Sequence, residues 1–544
     1  MIRFQIYIPV LLILLLSACK GVEESTSEEI RSIKAEEISI IPKPTSIKWG
    51  QGTLTTPAAN ILCFNPEAGE AAEWLSHLLN KANLDLYSMP GNSCGNWNLV
   101  ADASLRNELG AEGYILEIND GGVSLRAATS AGLFYAVQTL RQILPSSLED
   151  TPLESKRLQL PHLYIKDIPQ YAWRGTMVDV ARSFFGLKYL KSHVDRMALY
   201  KMNRLHLHLT DDQGWRIEIK SKPALTNVGS KGAVENGRSG YLTQKEYLEL
   251  QDYALARNII IIPEIDMPGH IYSALLAYPE LNCEEFSNIE PRMATPPELF
   301  TGTKVGWSKL CLTNPGIYDF VSTVIGEMAS ITNGPWIHIG GDEIKDDLYE
   351  AFVIKADSIV QHHGKTTIGW EEVTKAKVSN SLISQQWHGK VKSLVDVKVI
   401  ESICTSFYFD HANIPGQEKT NNWCKKTGVT LEEVYNFSSV NKNVIGFEAP
   451  VWTEFVWDDN SLDNRFWPRT IAVAEISWNH DSPRNFNEFS ERLNKHRDRL
   501  QRMGVNYFPV PELNWKENQN TRIKSDIFSG FIPENFKRTP LLNL

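Results

Sequence analysis

From about residue 170 to residue 450 the chain repeats one pattern, a short apolar run followed by a helical stretch. The runs fall at 176–181, 204–209, 259–265, 336–339, 366–369, 382–386, 397–403 and 444–447. Runs this short and this apolar suit strands covered on both faces, as in a parallel sheet. Residues 187–200 and 243–257 carry helical spacing, and the second stretch opens on Thr243 and Glu246 in capping-box register. Eight such strands predict an α/β fold, a (β/α)8 barrel over residues 169–510. A doubly wound open sheet is the alternative, but no glycine-rich phosphate loop follows the first run.

In a barrel of this kind the reactive groups gather where strands end. Here the run ends carry Asp179 to Arg182, then Asp211 to Arg216, then Glu264 to His270. Asp342-Glu343, Trp370, Trp387, Tyr408-Phe409-Asp410 and Trp452-Thr453-Glu454 follow. Carboxylates grip hydroxyls and indole faces cover C–H surfaces, so the set reads as a sugar pocket. Asp342 and Glu343 follow the apolar run and two glycines, and adjacent acids at a buried strand end are costly to ionise together. Catalysis is one reason to keep such a pair. The formal net charge of -10 argues against nucleic acid as a partner.

The motifs resemble those of family 20 glycoside hydrolases, the β-N-acetylhexosaminidases, over about residues 40 to 508. They are Arg174-Gly175 through Arg182, His206 through Arg216, Pro263 to His270, and His338 to Glu343. The resemblance implies an exo-acting, retaining enzyme that needs no cofactor or metal and takes glycans ending in β-linked GlcNAc or GalNAc. It implies that Glu343 is the general acid/base and that Asp342 orients the substrate's 2-acetamido group. The acetamido oxygen is then the nucleophile and an oxazolinium forms, an exception among retaining glycosidases. Trp370, Trp387 and Trp452 resemble the acetamido pocket walls, and Tyr408 the hydroxyl that binds the acetamido oxygen. Arg182, Asp410 and Glu454 resemble the clamp on the outer hydroxyls. Asp211 and His270 resemble a pair that supports Glu343, and Trp423 an aromatic on the leaving-group side. Where the family usually has His after the first-strand Arg, this chain has Ser183.

The residues favour this mechanism independently. An ordinary retaining glycosidase sets two carboxyl groups about 5–5.5 Å apart on opposite faces of the sugar. Sequence neighbours with Cα atoms about 3.8 Å apart do that awkwardly, although side chains on an extended strand diverge. Two other readings compete. A metal-dependent hydrolase is suggested by His206-x-His208, but these histidines alternate with leucines, and only His388 lies near the later strand ends. A non-catalytic glycan-binding lipoprotein is opposed by the presence of both Asp342 and Glu343.

The N-terminus resembles a lipoprotein signal: Arg3, an apolar run from Ile6 to Leu16, then Leu16-Ser17-Ala18-Cys19. Residues 1–18 are read as the signal peptide, Cys19 as the lipidated residue, and 19–38 as an acidic tether. Lys20 at the next position favours the outer membrane under the known sorting rule. Residues 39–168 read as a small structural α/β domain with strands at 113–118 and 123–127 and a helix at 129–144. Cys283–Cys311 and Cys404–Cys424 are candidate disulfides across loops, with free thiols the alternative. Residues 511–544 show no periodicity and no role.

Overall fold

The computed structural model describes residues 30–283, 298–389, 397–479, 483–516 and 526–536. The signal peptide and Cys19 lie outside the described residues.

The first domain holds an eight-stranded mixed sheet. Its strands are β1 (Ile30–Ser32), β2 (Ser46–Thr55), β3 (Ala59–Phe64), β4 (Asp85–Pro90), β5 (Trp97–Ala101), β6 (Tyr114–Asn119), β7 (Gly122–Ala127) and β8 (Arg157–Asp167). The spatial order is β1-β8-β6-β7-β5-β3-β4, with β2 paired to β8. Helices Gly69–Lys81 and Ser130–Ile143 pack against it, with Trp74 edge-on to Phe134 at 5.3 Å. Thr129 caps the second helix through Gly132 N–H. The tether reading needs correction from residue 30 onward, because β1 pairs in parallel with β8 and Ile33 is buried.

The second domain is a closed parallel barrel. Its strands are β9 (Trp173–Asp179), β10 (Arg204–His208), β11 (Ile260–Glu264), β12 (Trp336–His338), β13 (Thr366–Trp370), β14 (Ile383–Gln386), β15 (Lys398–Glu401) and β16 (Val444–Val451), with β16 closing onto β9. All eight expected runs are barrel strands. Helix Gln244–Leu255 has the expected reciprocal capping box between Thr243 and Glu246.

Strand alternation sorts the barrel interior into layers. The lowest is apolar, with Trp173, Ile260, Ile262, Trp336, Ile368, Ile383 and Ile400 in one cluster. Two residues further along the strands comes a polar layer. Glu448 accepts from Trp173 Nε1 at 2.9 Å, Gln385 Nε2 at 2.8 Å and His206 Nδ1 at 2.9 Å. Glu264 accepts from His208 Nδ1 at 2.6 Å and Trp370 Nε1 at 2.9 Å. Above this lie Met177, Trp370, Trp387, Cys404 and Tyr408, with Trp452 against them. Apolar residues thus close the floor and aromatic residues line the mouth.

The domains join at the lower end of the barrel. Arg174, at the start of β9, makes a two-pronged contact with Glu112 at 2.8 and 2.9 Å. Lys201 Nζ meets Asp167 at 3.0 Å, and Trp478 Nε1 donates to the other Asp167 oxygen at 2.8 Å. The C-terminal tail, unassigned from sequence, straps the two domains together. Phe528 packs on Trp74 at 4.8 Å, and its carbonyl accepts from Arg257. Asp526 pairs with Arg141 at 3.1 Å, and Ser529 Oγ donates to Asp195 at 3.0 Å.

Disulfides join Cys283–Cys311 and Cys404–Cys424. A third joins Cys63–Cys94, which sequence spacing did not suggest because β3 and the loop after β4 meet only through sheet pairing.

Candidate active site

The turn after β12 depends on its two glycines. Gly340 has φ +69, and a Cβ there would sit 1.7 Å from Asp266 Oδ1. Gly341 has φ +98, and its Cβ would lie 2.7 Å from Val373. Glu343 at φ 60 and His270 at φ 51 are non-glycine residues held in the left-handed region, a strain that concentrates at functional sites. This tight turn aims both acids at one imidazole. His270 Nε2 lies 3.4 Å from Glu343 Oε2 and 3.6 Å from Asp342 Oδ2.

Behind His270, its Nδ1 stands 3.4 Å from Asp211 Oδ1. Asp211 Oδ2 takes an ion pair from Arg182 at 2.7 Å and a hydrogen bond from His208 Nε2 at 2.9 Å. Burial opposes charge on Asp211, but Arg182 and His270 overcome it and hold its carboxyl below the ordinary range. Burial also opposes charge on His270, yet Asp211 and Asp342 push its pKa well above normal. His270 is therefore a cation beneath two acids. Asp342 is pushed up to about 6 by burial, with Glu343 and Glu264 adding to the rise and His270 opposing it.

The mouth holds a cavity of about 340 Å³ lined in part by Arg182, His270, Asp342, Glu343, Trp387 and Tyr408. Trp423, Trp452 and Glu454 complete the expected lining. Three expected residues sit just behind it. Trp370 is buried 5.8 Å from Trp452, Asp211 supports His270, and Asp410 is buried with its carboxylate 3.2 Å from His411 Nδ1. Buried polar atoms here lack hydrogen-bond partners among the described residues: Asp342 Oδ1, both oxygens of Asp410 and Arg182 Nε. Such atoms suit a ligand rich in hydroxyl and amide groups. Arg182 lies over Trp452 at 4.9 Å and beside Glu454, whose carboxyl burial lifts to about 7.

Some participants were not singled out from sequence. Glu372 accepts from Trp387 Nε1 at 3.1 Å, and Asn421 Nδ2 donates to Glu454 at 3.1 Å. Thr303, Val305 and Phe455 also line the cavity. Asp266 has its carboxyl pushed well above normal by burial and by Asp342. These residues lie in loops or just past strand ends, where no period marks them; the Glu at Trp370-Glu371-Glu372 was the one available signal. His206, Glu264 and His338 bring ligand-type atoms within 4.8 Å of one another. The Glu264 oxygens already accept from Trp370 and His208, so the geometry reads as a hydrogen-bonded layer.

Residues 171–351 and 345–481 match the catalytic domain of glycosyl hydrolase family 20, and residues 37–168 match that family's domain 2. A β-hexosaminidase from Porphyromonas gingivalis is 31% identical across 87% of this chain, which spans 65% of that relative's length. A β-N-acetylhexosaminidase from Cellulomonas fimi is 32% identical, covering 88% of this chain and 97% of its own. The solved Streptomyces plicatus N-acetyl-β-hexosaminidase, in complex with Thio-NAglucal, superposes with a TM-score of 0.79 at 34% identity, covering 88% of this chain and 97% of that one. The protein is a glycoside hydrolase and belongs to glycosyl hydrolase family 20.

Proposed function

We propose that the protein is a β-N-acetylhexosaminidase that removes terminal β-linked GlcNAc or GalNAc with retention, using the substrate's own acetamido oxygen as nucleophile. The carrying observation is the shared imidazole: both acids reach His270 Nε2 from one turn. Carboxylates gathered within 3.6 Å of one nitrogen are poorly placed to flank a sugar from opposite faces, as a protein nucleophile and acid must. The names of the relatives support the same substrate class.

In this reading Glu343 donates its proton to the glycosidic oxygen as the bond breaks. Asp342 accepts from the acetamido N–H and balances charge on the oxazolinium. Tyr408 donates to the acetamido oxygen, and Trp370, Trp387 and Trp452 exclude water around the acetamido methyl. Arg182, Asp410 and Glu454 hold the outer hydroxyls. The His270 cation favours the ionised form of Asp342, and Asp211 keeps that cation in place. Glu343 later deprotonates the water that opens the oxazolinium.

Release of chromophore from an aryl β-GlcNAc glycoside tests the activity. Glycan binding without turnover would instead favour the binding-protein reading. A GlcNAc-thiazoline, which copies the intermediate, is expected to inhibit strongly; indifference to it would overturn the substrate-assisted route. We further propose export and lipid anchoring through Cys19, with the outer membrane as the location. Loss of membrane association in Cys19→Ser is the expected result.

A further inference from the structure

Two of the tryptophans around the proposed acetamido pocket are joined by one turn. Trp370 closes β13, and the two residues after it open the 3-10 helix Glu371–Lys375. Both reach across to the residues that follow β14. Glu371 Oε2 accepts from the backbone N–H groups of His388 at 3.2 Å and Gly389 at 2.8 Å. Glu372 Oε2 accepts from the indole Nε1 of Trp387 at 3.1 Å.

The two contacts fix different things. Glu371 holds the backbone just after Trp387, and the Cys404 N–H donates to the Trp387 carbonyl at 2.8 Å. The tilt of the indole rests on Glu372, which takes the one hydrogen bond of that ring among the described residues. The ring otherwise stacks on His388 at 3.8 Å and meets Trp423 edge-on at 5.7 Å. Aromatic pairs accept centroid distances over about 4.5–7 Å, whereas a hydrogen bond weakens steeply once its angle opens. Trp370 is held differently: its Nε1 donates at 2.9 Å to Glu264, which His208 fixes from inside the barrel. Glu372 is half-buried at the mouth, so it can change without opening that inner layer.

We propose that Glu372 is a positioning residue that decides which N-acyl group the pocket accepts, by holding the Trp387 indole against the acyl methyl. With the hydrogen bond in place the wall leaves room for an acetyl group. Without it the indole tilts and a longer acyl chain fits. The inference rests on the hexosaminidase reading and goes beyond it in giving acyl-chain selectivity to a residue that the reading leaves without a role.

The test measures kcat/KM for two aryl β-glycosides, one of N-acetylglucosamine and one of N-butanoylglucosamine. It is run at about pH 6, below the value of about 7 to which burial, and then Asp342, raise the Glu372 carboxyl. There the side chain is mostly a neutral acid, and Gln copies its shape and its acceptor oxygen. In Glu372→Ala the butanoyl-to-acetyl ratio is expected to rise about tenfold, the scale on which a pocket weighs one or two methylenes. Both constants come from one preparation, so a loss of folded protein cancels in the ratio. Glu372→Gln should keep the ratio within about twofold of wild type, because its amide oxygen still accepts from the indole N–H. Trp387→Phe lacks the donor and should also raise the ratio. Adding Glu372→Ala to it should then change the ratio by less than about twofold, because both act through one bond. An unchanged ratio in Glu372→Ala, a ratio in Glu372→Gln as high as in Glu372→Ala, or additive effects with Trp387→Phe would overturn the proposal. If the wild type hydrolyses neither glycoside, the hexosaminidase reading itself fails, and the inference falls with it.

Discussion

The two ends of the barrel bury charge in opposite ways. At the lower end each acid has a cation: Glu112 meets Arg174, Asp167 meets Lys201, and Glu149 meets both Arg141 and Arg499. Burial opposes charge on Glu112 and Glu149, but their arginine partners pull both carboxyls below the ordinary range. At the mouth, Asp342, Glu454 and Glu372 are raised to about 6, 7 and 7, with burial the first cause in each case. The lower end uses charge to hold two domains in register. The mouth pairs Asp211 with Arg182 but leaves Asp342, Glu372 and Glu454 raised by burial, so that a substrate can supply what they lack. Activity and stability should therefore separate by position along the barrel axis.

The largest effect should come from Glu343→Gln. Loss of the proton donor is expected to lower kcat by about 10²–10⁴ for sugar leaving groups, and far less for aryl leaving groups that depart unprotonated. Kinetics across a leaving-group series check this, and an equal loss throughout would mean that Glu343 does not protonate. Arg174→Ala is the counterpart at the lower end. It strands Glu112 in a largely buried site, a change that typically costs about 3–5 kcal/mol. The thermal transition should fall while kcat of the folded protein stays near wild type. Asp342→Asn should lower kcat by about 10²–10³, the range for removing one preorganised electrostatic contact to developing charge. Its thiazoline affinity should fall in step.

The contrast also explains what could be read from sequence. The barrel strands were legible because their apolar runs are short and bounded, and the mouth was legible because acids and tryptophans follow those runs. The last strand was read as ending at 447, yet β16 continues to Val451. Glu448 and Pro450 interrupt the apolar pattern there, and only the closed barrel shows that Glu448 is buried by Trp173, His206 and Gln385. The first strand was entered late for a similar reason, since the charge of Arg174 is satisfied by Glu112 from the other domain. The tail strap was invisible because Phe528 is buried by Trp74 and Arg257, both more than two hundred residues away in the chain. Non-local satisfaction of polar groups, and non-local burial of single aromatics, leave no period in sequence.

Stability against pH offers the finest test of the contrast, because the two ends carry opposite signs. A carboxyl raised in the folded state holds its proton more tightly folded than unfolded, so its stabilising contribution is present at low pH and is lost as pH rises through the folded value. For Asp342 that window runs from the ordinary aspartate value of 3.8 up to about 6. Glu112 and Glu149 behave oppositely: their contribution is present above the ordinary glutamate range and is lost as pH falls through their depressed folded values. Asn cannot ionise, so Asp342→Asn removes only the first trend. The variant should be more stable than wild type by on the order of 3 kcal/mol at about pH 8, and the gain should shrink toward zero at about pH 4. Denaturant melts of both proteins across that range check it. A gain that is flat with pH would place the stabilisation in packing and remove Asp342 from the group of acids that the mouth leaves to its substrate.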